Sequence, residues 1–85
     1  MKNNSVALID VRTIDERRAF NIGGMHIPLP EIENYSGFQS SIRPIVFYCA
    51  SGKRSAEAVK IVMNKFPGLN LFSLSGGVKA WKEEG

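Results

Sequence analysis

Cysteine and histidine are nearly absent, with Cys49 and His26 the single residues of their kind in a chain of 85. A lone thiol closes no internal disulfide, and these two side chains fall well short of a zinc ligand set, so a disulfide scaffold and a metal cofactor are both set aside. Long apolar runs are missing too. None approaches the roughly 18 residues that cross a bilayer, and charge follows Met1 to Ser5 too soon for a secretory signal, so no membrane role is expected and a cytoplasmic location is. The net charge of +3 is spread through mixed-sign segments. Without a basic run interleaved with aromatics, nucleic acid is not an expected partner, and anionic small molecules or acidic protein segments are left. There is no internal repeat, no linker within the chain and no low-complexity stretch.

What is present is ordinary globular composition, 44% apolar and 22% charged, in a chain near the lower size limit for a single self-supporting core. Residues 1–5 are expected to be a tail or linker remnant and residues 6–85 one domain. Val6-Ala7-Leu8-Ile9-Asp10-Val11 and Pro44-Ile45-Val46-Phe47-Tyr48-Cys49 are continuous apolar, β-branched or aromatic runs, the pattern of parallel strands buried on both faces. Thr13-Ile14-Asp15-Glu16 fits a capping box opening a helix from Ile14 to about Phe20, with Gly23-Gly24 beyond it. Pro28 and Pro30 keep the next segment extended or turned, and one short helix is expected near Pro30 to Tyr35. From Ser55, Ala56, Val59, Ile61, Val62, Met63 and Phe66 recur at helical spacing until Pro67-Gly68. Leu69 to Ser73 reads as a third strand, and Val78 to Glu83 as a last helix. Strands alternating with helices predict an α/β domain, a small, mainly parallel sheet with helices on both faces. Val46, Phe47 and Trp81 are expected in the core, and Tyr35 and Phe38 in packing.

In such sheets ligands bind beyond the carboxyl ends of the strands, where Cys49 falls. Cys49-Ala50-Ser51-Gly52-Lys53-Arg54-Ser55 leads from a buried strand into a helix whose first N–H groups lack internal partners and suit an anion. A thiolate there is favoured over the thiol, with Lys53 and Arg54 expected to push the same way. Ala50, Ser51 and Gly52 are small enough for the backbone to curl around an atom bonded to the sulfur. Arg54 is expected to clamp an anionic donor. The alternative is plain packing, since free cysteines are among the most buried residues.

Leu8-Ile9-Asp10-Val11-Arg12 with Glu16, Asn21-Ile22-Gly23-Gly24-Met25-His26-Ile27-Pro28, Tyr48 through Ser55, and Gly76-Gly77-Val78-Lys79-Ala80-Trp81 stand in the order of the rhodanese family, which the chain resembles from Leu8 to Trp81. The resemblance implies a rhodanese-like fold, trimmed at its amino end, and sulfurtransferase activity. Cys49 would carry a persulfide, Ala50 to Ser55 would hold the transferred sulfur, and Asp10 and Arg12 would support the loop from behind, the alternative for these two being a structural ion pair with no direct catalytic part. It implies no cofactor, and a donor such as thiosulfate or a persulfide.

Phe20-Asn21 replaces the usual Gly-His, and His26 is expected to be a structural or surface group rather than a base. The wording is most similar to rhodanese domains at the carboxyl end of adenylyltransferase-sulfurtransferases of molybdopterin and thiamine pathways, which implies a sulfur-carrier protein and an adenylating domain as partners. Two rival functions stay open: a non-catalytic binding or regulatory module, and a phosphatase. Against the phosphatase, only Ala50, Ser51, Gly52 and Lys53 separate Cys49 from Arg54, a tighter loop than a tetrahedral phosphate needs.

Overall fold

The computed structural model describes residues 6–35, 37–40, 43–74 and 77, with the side chains of residues 39 and 40 left aside. The two apolar runs form its centre as β1 (Ala7–Asp10) and β3 (Ile45–Tyr48). They pair in parallel, Ile9 opposite Phe47 and Asp10 opposite Tyr48. β4 (Leu71–Ser73) pairs with β3 in the same sense. On the other side β1 takes β2 (Met25–His26), a strand the sequence pattern did not predict, to complete the order β2-β1-β3-β4. A two-residue strand has no alternation to read. It exists because β1 offers its outer edge, and Ile27 N–H extends the pairing to the Asp10 carbonyl at 2.9 Å.

The first helix, α1 (Ile14–Ala19), carries the predicted capping box in full, Thr13 receiving the Glu16 N–H and Glu16 reaching back to the Thr13 backbone. It ends one residue before the expected Phe20, which turns extended. α2 (Leu29–Ile32) starts earlier than predicted because Pro30 sits in its first turn, where a missing N–H costs nothing. A 3-10 turn over Gly37–Ser40 follows, also without a sequence signal. α3 (Lys53–Lys65) begins two residues ahead of its apolar periodicity, since Gly52 caps it and already accepts the Ala56 N–H. The predicted helix 78–83, Trp81 and the tail 1–5 lie outside the described residues. Among the described residues no helix is long and apolar enough to cross a membrane.

Strand alternation assigns the faces. Ile9, Val11, Ile45, Phe47 and Cys49 share one buried cluster with Ile32 of α2, Ala58 and Val62 of α3, Ile27 and Phe38. Phe38 meets Phe47 edge to face at 5.6 Å and Tyr35 at 4.7 Å, so both aromatic rings pack as expected. Val46, on the opposite face, is half-buried rather than core. Asp10 and Tyr48 point to that face too and meet α1 and its following segment: Arg17 reaches Asp10 and the Tyr48 hydroxyl donates to the Gly23 carbonyl at 2.9 Å. The described helices thus lie on both faces of the sheet.

Gly23 and Gly24 both hold positive φ, +96° and +85°, but their surroundings differ. A Cβ on Gly23 would meet nothing within 4 Å, whereas on Gly24 it would fall 2.3 Å from the Leu8 carbonyl oxygen. Chemical denaturation should therefore separate them. Gly23→Ala is expected to cost about 1 kcal/mol of backbone strain, and Gly24→Ala about 3 kcal/mol or more, as β1 is pushed away from its neighbour.

Candidate active site at the carboxyl end of β3

Cys49 leaves β3 fully buried. Its Sγ accepts the Gly52 N–H at 3.0 Å and the Ser55 N–H at 3.3 Å, with the Ser55 hydroxyl 3.7 Å away. This collar depends on Gly52, which at φ +102° takes the left-handed conformation that lets the chain double back beneath the helix start. From outside, Gly77 seals the loop. Its own φ is +64°, and a Cβ there would lie 2.3 Å from the Cys49 carbonyl oxygen and 2.6 Å from the Ala50 carbonyl.

Burial by itself pushes the Cys49 thiol up. Hydrogen bonds from the Ser55 N–H and hydroxyl and from the Gly52 and Ser51 N–H groups outweigh it and draw the thiol below its ordinary value. The direction matches the sequence reading. The cause differs from it, because the groups nearest the sulfur are backbone and hydroxyl donors, whereas Lys53 is exposed and Arg54 is engaged elsewhere.

Arg54 corrects a second expectation. Its guanidinium does not stand open for a donor: both terminal nitrogens bind the Glu16 carboxylate, each at 2.8 Å. Glu16 also accepts the Thr13 N–H at 3.1 Å and the Thr13 hydroxyl at 3.0 Å. The Arg54 hydrogen bonds and those from Thr13 hold its carboxyl down at about 2 against the cost of partial burial. One carboxylate therefore caps α1 and ties that helix to the loop at the start of α3. Sequence spacing revealed only the cap.

Asp10 and Arg12 form the expected pair, both buried. Arg12 offers its backbone N–H at 3.0 Å and Nε at 2.9 Å to one Asp10 oxygen, and Nη2 at 3.0 Å to the other. Burial works to raise the Asp10 carboxyl, and these bonds prevail and keep it low. The Arg12 guanidinium lies 5.4 Å from the Tyr48 ring centroid and donates to the Phe20 carbonyl. His26 is structural, as expected: Nε2 donates to the Arg12 carbonyl at 2.7 Å. Asn21 shapes its own turn, its Oδ1 accepting the Gly23 N–H at 2.9 Å. Neither Asp10 nor Arg12 hydrogen-bonds Cys49 or the loop, so the structure brings them to the neighbouring strand end without joining them to the sulfur. Ser73, read from sequence only as the end of a strand, does reach the loop, its Oγ 2.6 Å from that of Ser55.

Because the Glu16 carboxyl titrates near 2 in the folded chain and near 4.5 when free, its ionisation stabilises the fold above the free value and that contribution fades as pH falls toward 2. In acid denaturation, Glu16→Gln should flatten the slope of stability between about pH 4.5 and 2. An unchanged slope would mean that the bridge to Arg54, about one-third exposed on both sides, is screened by water into insignificance.

Comparison with known proteins follows the same outline. The chain superposes on a rhodanese-related protein from Thermoplasma volcanium with a TM-score of 0.82 and 29% identity, covering 95% of this chain and 80% of that one. It superposes on the human single-domain sulfurtransferase TSTD1 with a TM-score of 0.78 and 27% identity, covering 95% and 84%. The NAD-dependent persulfide reductase of A. fulgidus gives a TM-score of 0.73 and 28% identity over 95% of this chain, though only 15% of the reductase is covered. No curated protein matches the sequence. The family model for the rhodanese-like domain matches residues 1–84, almost the whole of the sequence, and the chain belongs to that family.

Proposed function

We propose that this chain is a sulfurtransferase that moves sulfane sulfur through a persulfide on Cys49. The observation that carries the reading is the collar of donors around Sγ, which lowers the thiol in a place where burial alone would raise it. A thiolate is the nucleophile this chemistry requires. In the first step Sγ attacks the outer sulfur of thiosulfate. The new S–S bond forms as the old one breaks, and sulfite leaves with the bonding pair. In the second step a thiophile such as cyanide takes the outer sulfur, and Cys49 returns as thiolate. Donors fixed before the charge moves need no reorganisation, which is the logic of an oxyanion hole applied to sulfur.

The kinship with proteins named as a sulfurtransferase and a persulfide reductase supports the same chemistry. A protein persulfide is an alternative donor, and a sulfur-carrier protein activated by an adenylating domain is the proposed physiological acceptor. A free thiol of this kind suits the reducing cytoplasm. The complete burial of Cys49 is the one feature favouring the rival reading, a binding module whose cysteine only packs.

Intact mass of the folded protein decides between them. Thiosulfate should add one sulfur atom to the wild type, removable by reductant, and none to Cys49→Ser; folded wild type that gains no mass from thiosulfate or from a persulfide donor would favour the binding module. Since Glu16 occupies the Arg54 guanidinium, Arg54→Ala is expected to lower transfer from charged and neutral donors by the same factor. A loss confined to thiosulfate would restore Arg54 as a clamp on the donor anion.

A further inference from the structure

Ser73 closes β4 opposite Phe47 in the parallel register, so its side chain rises on the face that carries α3. There it meets Ser55, in the first turn of that helix, with the two hydroxyl oxygens 2.6 Å apart. Ser55 Oγ also lies 3.1 Å from the Gly52 carbonyl and 3.7 Å from Cys49 Sγ. Ser55 is fully buried, Ser73 partly so.

Each hydroxyl has one proton to give and two lone pairs to offer. While Cys49 is a thiol, S–H donates to Ser55 Oγ, the Ser55 proton goes to the Gly52 carbonyl, and Ser73 donates to the remaining lone pair of Ser55. When Cys49 ionises, S–H is lost and the Ser55 proton turns from the Gly52 carbonyl to the sulfur anion. With the Ser55 proton given to the Gly52 carbonyl in one state and to sulfur in the other, Ser73 is left as the donor of the contact between the two hydroxyls in both. It thereby keeps the Ser55 proton available for the other two acceptors and polarises the Ser55 O–H, which strengthens donation to an anion.

We propose that Ser73 is a positioning residue for the sulfur site: through Ser55 it forms the outer link of a hydroxyl relay that stabilises negative charge on Cys49. The Ser55 hydroxyl is among the groups that draw the Cys49 thiol down, consistent with such a relay. The charged groups nearby act less directly. Arg54 is joined to Glu16, Lys53 lies on the exposed side of the same turn, and Asp10, Arg12, Arg17 and His26 are engaged with one another and with backbone carbonyls. None of them hydrogen-bonds Sγ.

The test compares Ser73→Thr with Ser73→Val, two side chains of nearly equal shape that both suit a strand and differ in the hydroxyl. The readout is a pH titration of thiolate ultraviolet absorbance, taken as the difference from Cys49→Ser. Ser73→Thr should titrate with the wild type. Ser73→Val should titrate about half a pH unit higher, the size expected for one neutral hydrogen bond. On a Ser55→Ala background the Thr and Val variants should titrate together. Equal midpoints in the single variants, or a difference that survives the loss of Ser55, would overturn the relay. Should Ser73→Val not fold, Ser73→Ala removes the same hydroxyl. The inference rests on Cys49 working as a thiolate, but the two readings fail separately: absence of persulfide mass defeats sulfur transfer, and an unmoved titration defeats the relay.

Discussion

A negative charge held out of water needs donors converging on it, and this chain places two such sites at adjacent strand ends. Asp10 at the end of β1 is one, and Cys49, immediately beyond β3, is the other. Each is met in a different way. Asp10 is opposed by a full positive charge on Arg12, and the surrounding segment is arranged around that pair, with the Phe20 carbonyl accepting from Arg12 Nη2 and His26 donating to the Arg12 carbonyl. Such a buried pair costs much to desolvate and adds little net stability, although removal of one partner would strand the other. Its effect is positional: it fixes the end of β1, and Val11 N–H in turn binds the Tyr48 carbonyl at 3.1 Å, one residue before Cys49.

The sulfur is met by dipoles instead. Under the proposed sulfur transfer, a cation touching Sγ would hold the thiolate but would also hold the outer sulfur of a persulfide, which would have to leave. N–H groups and hydroxyls stabilise charge on either sulfur without pairing irreversibly with it. This gives physical sense to the position of Arg54. Bound by Glu16, it fastens α1 to the loop as a neutral pair, while the backbone turn at Gly52 sets the sulfur's surroundings.

Much of this was legible from sequence where local rules act alone. β1 and β3 announce themselves as uninterrupted apolar runs, the capping box of Thr13 and Glu16 is complete as read, and the cysteine loop falls between a buried strand and a helix. What could not be read depends on partners far along the chain. β2 is two residues long and exists only because β1 has a free edge. The bridge from Glu16 to Arg54 spans 38 positions, and Ser55 meets Ser73 across 18. No spacing rule anticipates either contact. The start of α3 was misjudged for a different reason: apolar periodicity marks the packed face of a helix, whereas its beginning is set by Gly52, whose left-handed turn leaves no hydrophobic trace.

These long-range contacts also tie the edge strand β4 to the sulfur site. β4 packs Leu71 against the core, whereas Phe72 is 54% exposed. The strand's further contribution lies in what it carries to the site. Ser73 reaches the first turn of α3, Leu74 N–H binds the Phe47 carbonyl at 2.9 Å, and Gly77 N–H binds the Leu74 carbonyl at 3.0 Å. Gly77 then packs against the Cys49 and Ala50 carbonyls so closely that no side chain fits. β4 thus serves the site as well as the core, because without it the sulfur loop would lose both a hydroxyl partner and its outer wall.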